Sequence, residues 1–125
     1  MRDADLATLD TMVLDELRDS VDGDRAFVVE LIEAYLADAP VQIAAIDSAA
    51  ATDDAATLVR PAHTLKSSSA TLGLHRLAAA ARELEMAGKS GALEPGTSEQ
   101  LVALHEDWDA ASRALRTWAA EDGAG

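Results

Sequence analysis

A chain of 125 residues with 49% hydrophobic side chains is sized for one domain around one core, and that apolar content excludes wholesale disorder. The absence of cysteine removes disulfide frameworks and thiolate chemistry. A formal net charge of −13 argues against nucleic acid, whose phosphates such a surface repels.

The opening residues, MRDADLATLD, are acidic and lack the apolar stretch of a signal peptide. Leu6, Leu9, Val13 and Leu17 recur every three or four residues, which predicts a short amphipathic helix over about 5–20. Asp22, Gly23 and Asp24 end it and can cap its successor. From Phe27 an apolar stripe runs through Val28, Leu31, Ile32, Tyr35 and Leu36, then through Ile43, Ile46 and Ala50. Pro40 interrupts this stripe without shifting its phase, so one long helix kinked near Pro40 is expected rather than two. Thr52, Asp53 and Asp54 supply the N-cap and first-turn acids of the next helix, which contains Pro61 and His63 and runs to about Leu72. Gly73 suits the left-handed residue that closes it.

The following helix begins almost at once, with Leu74, Leu77, Ala81 and Leu84 on its buried side. So short a connection makes the two helices antiparallel neighbours. The stretch KSGALEPGTS reads as a loop, and Thr97 with Gln100 forms a capping-box pattern. Leu101, Leu104, Trp108, Ala111, Leu115 and Trp118 then alternate spacings of three and four, a bundle seam in which the tryptophans are core knobs rather than a ligand cage. The tail EDGAG is expected to fray. No segment alternates with period two, and no run of about 18 apolar residues exists to cross a bilayer. The expected architecture is all-α: an antiparallel up-down-up-down four-helix bundle over 24–120, with a short extra N-terminal helix and a tail over 121–125, in one domain. A self-contained bundle of this kind is expected to be monomeric and cytoplasmic.

The stretch RPAHTLKSSSATLG holds the chemistry. At ~100° per residue, Leu58, Ala62, Leu65, Ser69 and Leu72 share one side of the helix, and His63 falls opposite, facing water. Arg60 and Lys66 flank it a turn away on either side, while Ala56, Ser67 and Ala70 leave its surroundings uncrowded. Between Arg60 and Lys89 five basic residues face two acidic ones, so this segment carries +3 against −16 for the rest of the chain. A basic island on an acidic body suits an anionic group held at one place.

Other chemistries fit these residues poorly. Bundle metal sites pair inward carboxylates with a Glu-x-x-His element, and no glutamate lies three residues before any of His63, His75 or His105. No metal site is expected, and His75 and His105 read as surface or boundary residues. Ser67 stands one turn from His63, yet no carboxylate on that face orients the imidazole as a base for serine. Phosphoryl transfer fits better. A neutral imidazole, the majority form of an ordinary histidine near pH 7, can attack phosphorus, and a neighbouring cation then offsets the charge acquired.

The run AHTLKSSSATLG resembles the histidine-containing phosphotransfer (HPt) domain of multistep phosphorelays. Ala62, His63, Leu65, Lys66, Ser68, Ser69, Leu72 and Gly73 match its pattern, and Leu84 and Glu85 match the L-E of its second helix. The resemblance implies that His63 accepts the phosphoryl group and that Lys66 steadies it. It further implies a partner, the receiver domain of a hybrid kinase or response regulator, that supplies Mg²⁺ and most of the catalysis. The chain would then need no cofactor of its own and would be a carrier rather than an enzyme. Arg60, Ser67, Ala70 and Arg82 are the expected partner-facing residues, and Arg82 or Glu83 is expected to set a polar group against the imidazole. Ser67 stands where the family has glycine. Two competing readings remain: a helical adaptor that binds receivers or kinases without taking phosphate, and the phosphoacceptor module of a chemotaxis-type kinase cut from a longer chain.

Overall fold

Aspartates open three of the five helices in the computed structural model of the chain, which describes residues 6–93 and 96–124. The carboxylate of Asp10 accepts from the N–H of Met12 at 3.2 Å and starts α1 (Thr11–Ser20). Asp24 does the same for Phe27 and α2 (Arg25–Ala51), and Asp54 for Thr57 and α3 (Ala55–Thr71). Each side chain satisfies a donor that the first turn leaves without an intrahelical partner. α2 is one helix across Pro40, as the unbroken phase of its stripe requires. Phe27, placed on that stripe by its spacing, is 41% exposed; Val28, Ile32, Tyr35, Ala39, Ile43, Ile46 and Ala49 form the buried line.

α3 ends as the glycine predicts. Gly73 has φ +81°, and Leu74 N–H returns to Ser69 C=O at 2.9 Å, a Schellman closure. α4 (His75–Lys89) follows immediately. It has no side-chain cap, and the chain segment before α1 takes over that task. Ala7 C=O accepts from the N–H of Arg76 at 3.0 Å, Asp10 N–H donates to Gly73 C=O at 2.8 Å, and the Arg76 guanidinium donates to Leu6 C=O at 3.2 Å. This corrects the expected helix over 5–20: residues Leu6–Asp10 form a strap, because their peptide groups are used to satisfy the α3–α4 turn. The strap passes so close that a Cβ on Gly73 would meet Asp10 O at 2.7 Å and Val13 Cβ at 3.0 Å.

The last helix, α5 (Thr97–Ala124), also differs from expectation at both ends. Gln100 N–H bonds to Gly96 C=O at 3.1 Å, so Thr97 lies inside the first turn; its buried hydroxyl has no partner among the described residues, and the capping box does not form. The helix also runs past residue 120, through most of the stretch expected to fray. Asp5, Glu94, Pro95 and Gly125, which the expected boundaries include, lie outside the described residues.

α2, α3, α4 and α5 close a ring of antiparallel neighbours with α1 against α2, and no strand occurs among the described residues. Leu14, Ile32, Ile46, Leu58, Leu65, Leu74, Leu77, Leu84, Leu104 and Leu115 are fully buried at its centre. Trp108 and Trp118 pack on this core while partly exposed, Trp108 edge-on to Tyr35 at 5.8 Å and Trp118 beneath Arg25. No helix among the described residues is long and apolar enough to cross a membrane. Among the described residues the most extensive helix–helix contact is α3 with α4, and Gly88 lets the two backbones approach: a Cβ there would meet Ala55 O and Val59 Cγ2, each at 2.8 Å.

Candidate functional site

The helix-wheel reading of α3 holds. Leu58, Ala62, Leu65, Ser69 and Leu72 are buried, and the His63 side chain is 58% exposed. Arg60, Ser67 and Ala70 are exposed around it, and Arg82 is exposed on α4. The serines divide by role. Ser69 is buried and shares a 2.7 Å hydrogen bond with the Tyr35 hydroxyl, whose pKa burial pushes up to about 12. Ser68 donates back to Thr64 C=O at 3.0 Å.

The group that meets the imidazole is Glu85, where Arg82 or Glu83 was expected. Its Oε2 lies 2.8 Å from His63 Nδ1. Equal distances from the Gly73 turn would pair His63 with Arg82 and Glu83, and that register fails because helical side chains lean toward their own N-terminus. On α3 that lean carries His63 away from the turn; on α4 it carries side chains toward it. The partner of His63 therefore lies further along α4 than equal counting gives. The sequence signal that identifies it is the one glutamate of the α3–α4 pair on the Leu77–Ala81–Leu84 side of α4.

Glu85 is buried, with its side chain 3% exposed, and three groups compensate it. Lys66 Nζ sits 2.7 Å from Oε1; His63 Nδ1 and Lys89 Nζ, the latter at 3.2 Å, share Oε2. The bonded Lys66 ammonium holds the Glu85 carboxyl down at about 2, against the upward push of burial, with His63 and Lys89 adding to it. Glu85 is thus a carboxylate near neutral pH and can only accept hydrogen bonds. The neutral ring must then carry its proton on Nδ1, which leaves the lone pair on Nε2, the nitrogen away from Glu85. Beside the ring is an open recess of about 680 Å³, lined by Val59, Arg60, Thr64 and Lys89 among others.

The other histidines stand apart, each on its own aspartate. His75 Nε2 lies 3.2 Å from Asp10, and His105 Nε2 lies 2.8 Å from Asp47. Among the described residues no three His, Asp or Glu side chains gather as metal ligands.

Fold and site together define a helical bundle that presents to solvent an imidazole bonded to a buried carboxylate. A model of the Hpt domain family matches residues 30–115, and the chain belongs to that family. Its role is histidine phosphotransfer in a phosphorelay, and its class is that of a phosphocarrier. Two solved structures share the fold. The histidine-containing phosphotransfer protein B (HptB) of Pseudomonas aeruginosa PAO1 superposes with a TM-score of 0.81 at 20% identity, over 91% of this chain and 96% of that one. The HPT domain of the Hpt sensor hybrid histidine kinase from Shewanella gives 0.72 at 18% identity, over 91% and 95%. No curated relative matches the chain by sequence.

Proposed function

We propose that His63 is the phosphoacceptor, taking the phosphoryl group from a receiver-domain aspartate and passing it to another receiver. The observation that carries this reading is the 2.8 Å contact between His63 Nδ1 and an ionised, buried Glu85. It keeps the ring in the tautomer whose Nε2 lone pair faces solvent. In the forward step Nε2 forms a bond to phosphorus, the P–O bond to the aspartate breaks, and the carboxylate leaves. The ring keeps its Nδ1 proton and becomes a phosphorylated imidazolium, whose positive charge faces Glu85. The reverse step breaks N–P and returns the neutral ring. No proton has to enter or leave in either direction, so the same geometry serves both transfers.

Lys66 fixes Glu85 as an anion, and its charge offsets that of the phosphoryl group. Arg60, Ser67, Ala70 and Arg82, all exposed, belong to the face a receiver covers. An interface at the small end of the range suits a carrier that must release each partner. Mg²⁺ and the remaining catalysis belong to the receiver, the chain holds no cofactor of its own, and it acts as a cytoplasmic monomer. The test follows radiolabelled phosphate from a phosphorylated receiver. Wild-type protein takes the label in acid-labile, base-stable form, and His63→Gln takes none. Equal labelling of His63→Gln overturns the assignment, and a wild-type chain that binds receivers unlabelled is an adaptor.

A further inference from the structure

The recess beside His63 has a charge that the transfer chemistry leaves unused. Lys66 and Glu85 form a neutral pair at 2.7 Å. Two cations then remain at the ring. Arg60 precedes His63 by one turn of α3, is exposed, and has no acidic partner among the described residues. Lys89 is 62% exposed and bonds the same Glu85 oxygen as His63 Nδ1, so the two nitrogens stand within about 6 Å, where unit charges still interact. Side chains on α3 lean toward its N-terminus, which tips the imidazole toward Arg60 and away from Lys66. Arg60, Lys89, His63 and Glu85 all line the recess of about 680 Å³, and Lys66, which neutralises Glu85 from the other oxygen, is not part of its lining.

We infer that this recess is the seat of the phosphoryl group once it is on His63, with Arg60 and Lys89 as its direct contacts. The inference rests on His63 being the phosphoacceptor. A histidine-bound phosphoryl group carries up to about −2 charge, and Arg60 with Lys89 supply +2. Lys89 moves from one acceptor, Glu85 Oε2, to another within reach of its four-carbon stem, and Glu85 keeps Lys66 and the Nδ1 proton as donors. Arg60 offers a planar fork suited to two phosphoryl oxygens. Lys66 acts on the phosphoryl group at longer range, through the carboxylate it immobilises.

The test reads the phosphoryl group itself. Full-length protein is phosphorylated with phosphoramidate, which needs no protein partner, and the ³¹P resonance absent from His63→Gln is followed through pH. Adjacent cations favour the dianion and lower the midpoint of its last ionisation. Arg60→Gln/Lys89→Gln is expected to raise that midpoint by roughly 0.5–1 pH unit, a ~3- to 10-fold change in proton affinity, with each single change giving part of it. Arg60→Lys retains most of the native midpoint, and Lys66→Gln moves it less than the double change. All substituted side chains are at least partly exposed, and circular dichroism verifies the fold. A double variant with the native midpoint, or a larger shift from Lys66→Gln, overturns the inference. So does the absence of any His63-dependent resonance. If the midpoint shifts as expected but receivers do not exchange phosphate with the labelled protein, the relay reading alone fails.

Discussion

Two faces of the bundle carry a histidine 2.8 Å from a carboxylate, and they are built for different ends. On the α3–α4 face Glu85 is 3% exposed, is bonded by two lysines besides the histidine, and is pinned between closely packed helices. On the α2–α5 face Asp47 and His105 are 41% and 51% exposed, and among the described residues no further ion pair fixes the aspartate. The distance is the same; the freedom is not. A carboxylate held in one place fixes which ring nitrogen is protonated, whereas an exposed pair rotates, exchanges with water and is screened by salt. A histidine–carboxylate distance alone therefore does not mark a reactive ring. The burial and the other partners of the carboxylate do.

The sharpest way to break this comparison is to remove each carboxylate. Glu85→Ala leaves the His63 ring free to choose its tautomer and to turn, and phosphotransfer from a receiver should slow by roughly 10- to 100-fold. Asp47→Asn should leave the rate within about twofold, since an exposed pair orders little. Both are read by single-turnover labelling. Equal losses would mean that Glu85 is only another surface partner.

A smaller effect comes from the packing under the site. Gly88→Ala places a methyl group 2.8 Å from Ala55 O and from Val59 Cγ2. Backbone cannot yield as a side-chain tip does, so α4 must move from α3. Overpacking costs ~1–3 kcal/mol, of which the better helix propensity of alanine returns up to about 1. The net loss, ~0–2 kcal/mol by urea denaturation, should come with a weakened His63–Glu85 contact. NMR would register this as a change at the His63 ring, with the His105 ring unchanged. A stabilised variant would show that the α3–α4 spacing is not set at Gly88.

Much of this molecule is legible in the sequence, and the gaps have physical causes. The apolar spacings from Val28 to Ala49 and from Leu58 to Leu72 are direct records of which side is buried, so the bundle and the outward face of His63 follow from them. Gly73 is legible because only glycine enters the left-handed region freely. The strap of Leu6–Asp10 is not legible: its leucines have helical spacing, but its peptide groups are claimed by Arg76 and Gly73, 63 to 70 residues away in sequence. Thr97 and Gln100 match a capping box, yet Gly96 sits where the cap belongs, because a local pattern does not record where the helix begins to pack. Glu85 was visible as a motif residue and misplaced as a contact, since register across two helices depends on the direction in which side chains lean.

The gentlest test concerns acid. Glu85 is held at about 2 in the folded chain, below its ordinary 4.5. A carboxyl lowered by folding adds stability above its unfolded value, and that contribution drains away as pH falls toward the folded one. The window here is from about 4.5 down to about 2. Replacement by Gln removes a titrating group, so the difference in unfolding free energy between wild type and Glu85→Gln should shrink through this window. Asp47→Asn should alter the same curve by less, because an exposed pair is worth ~0–1 kcal/mol and is weakened further by salt. Urea titrations at stepped pH, in low and high salt, separate the two. If the Glu85 difference were constant from neutrality to pH 2, or vanished in salt like that of Asp47, the buried carboxylate would be energetically no different from the surface one, and the fixed tautomer of His63 would lose its support.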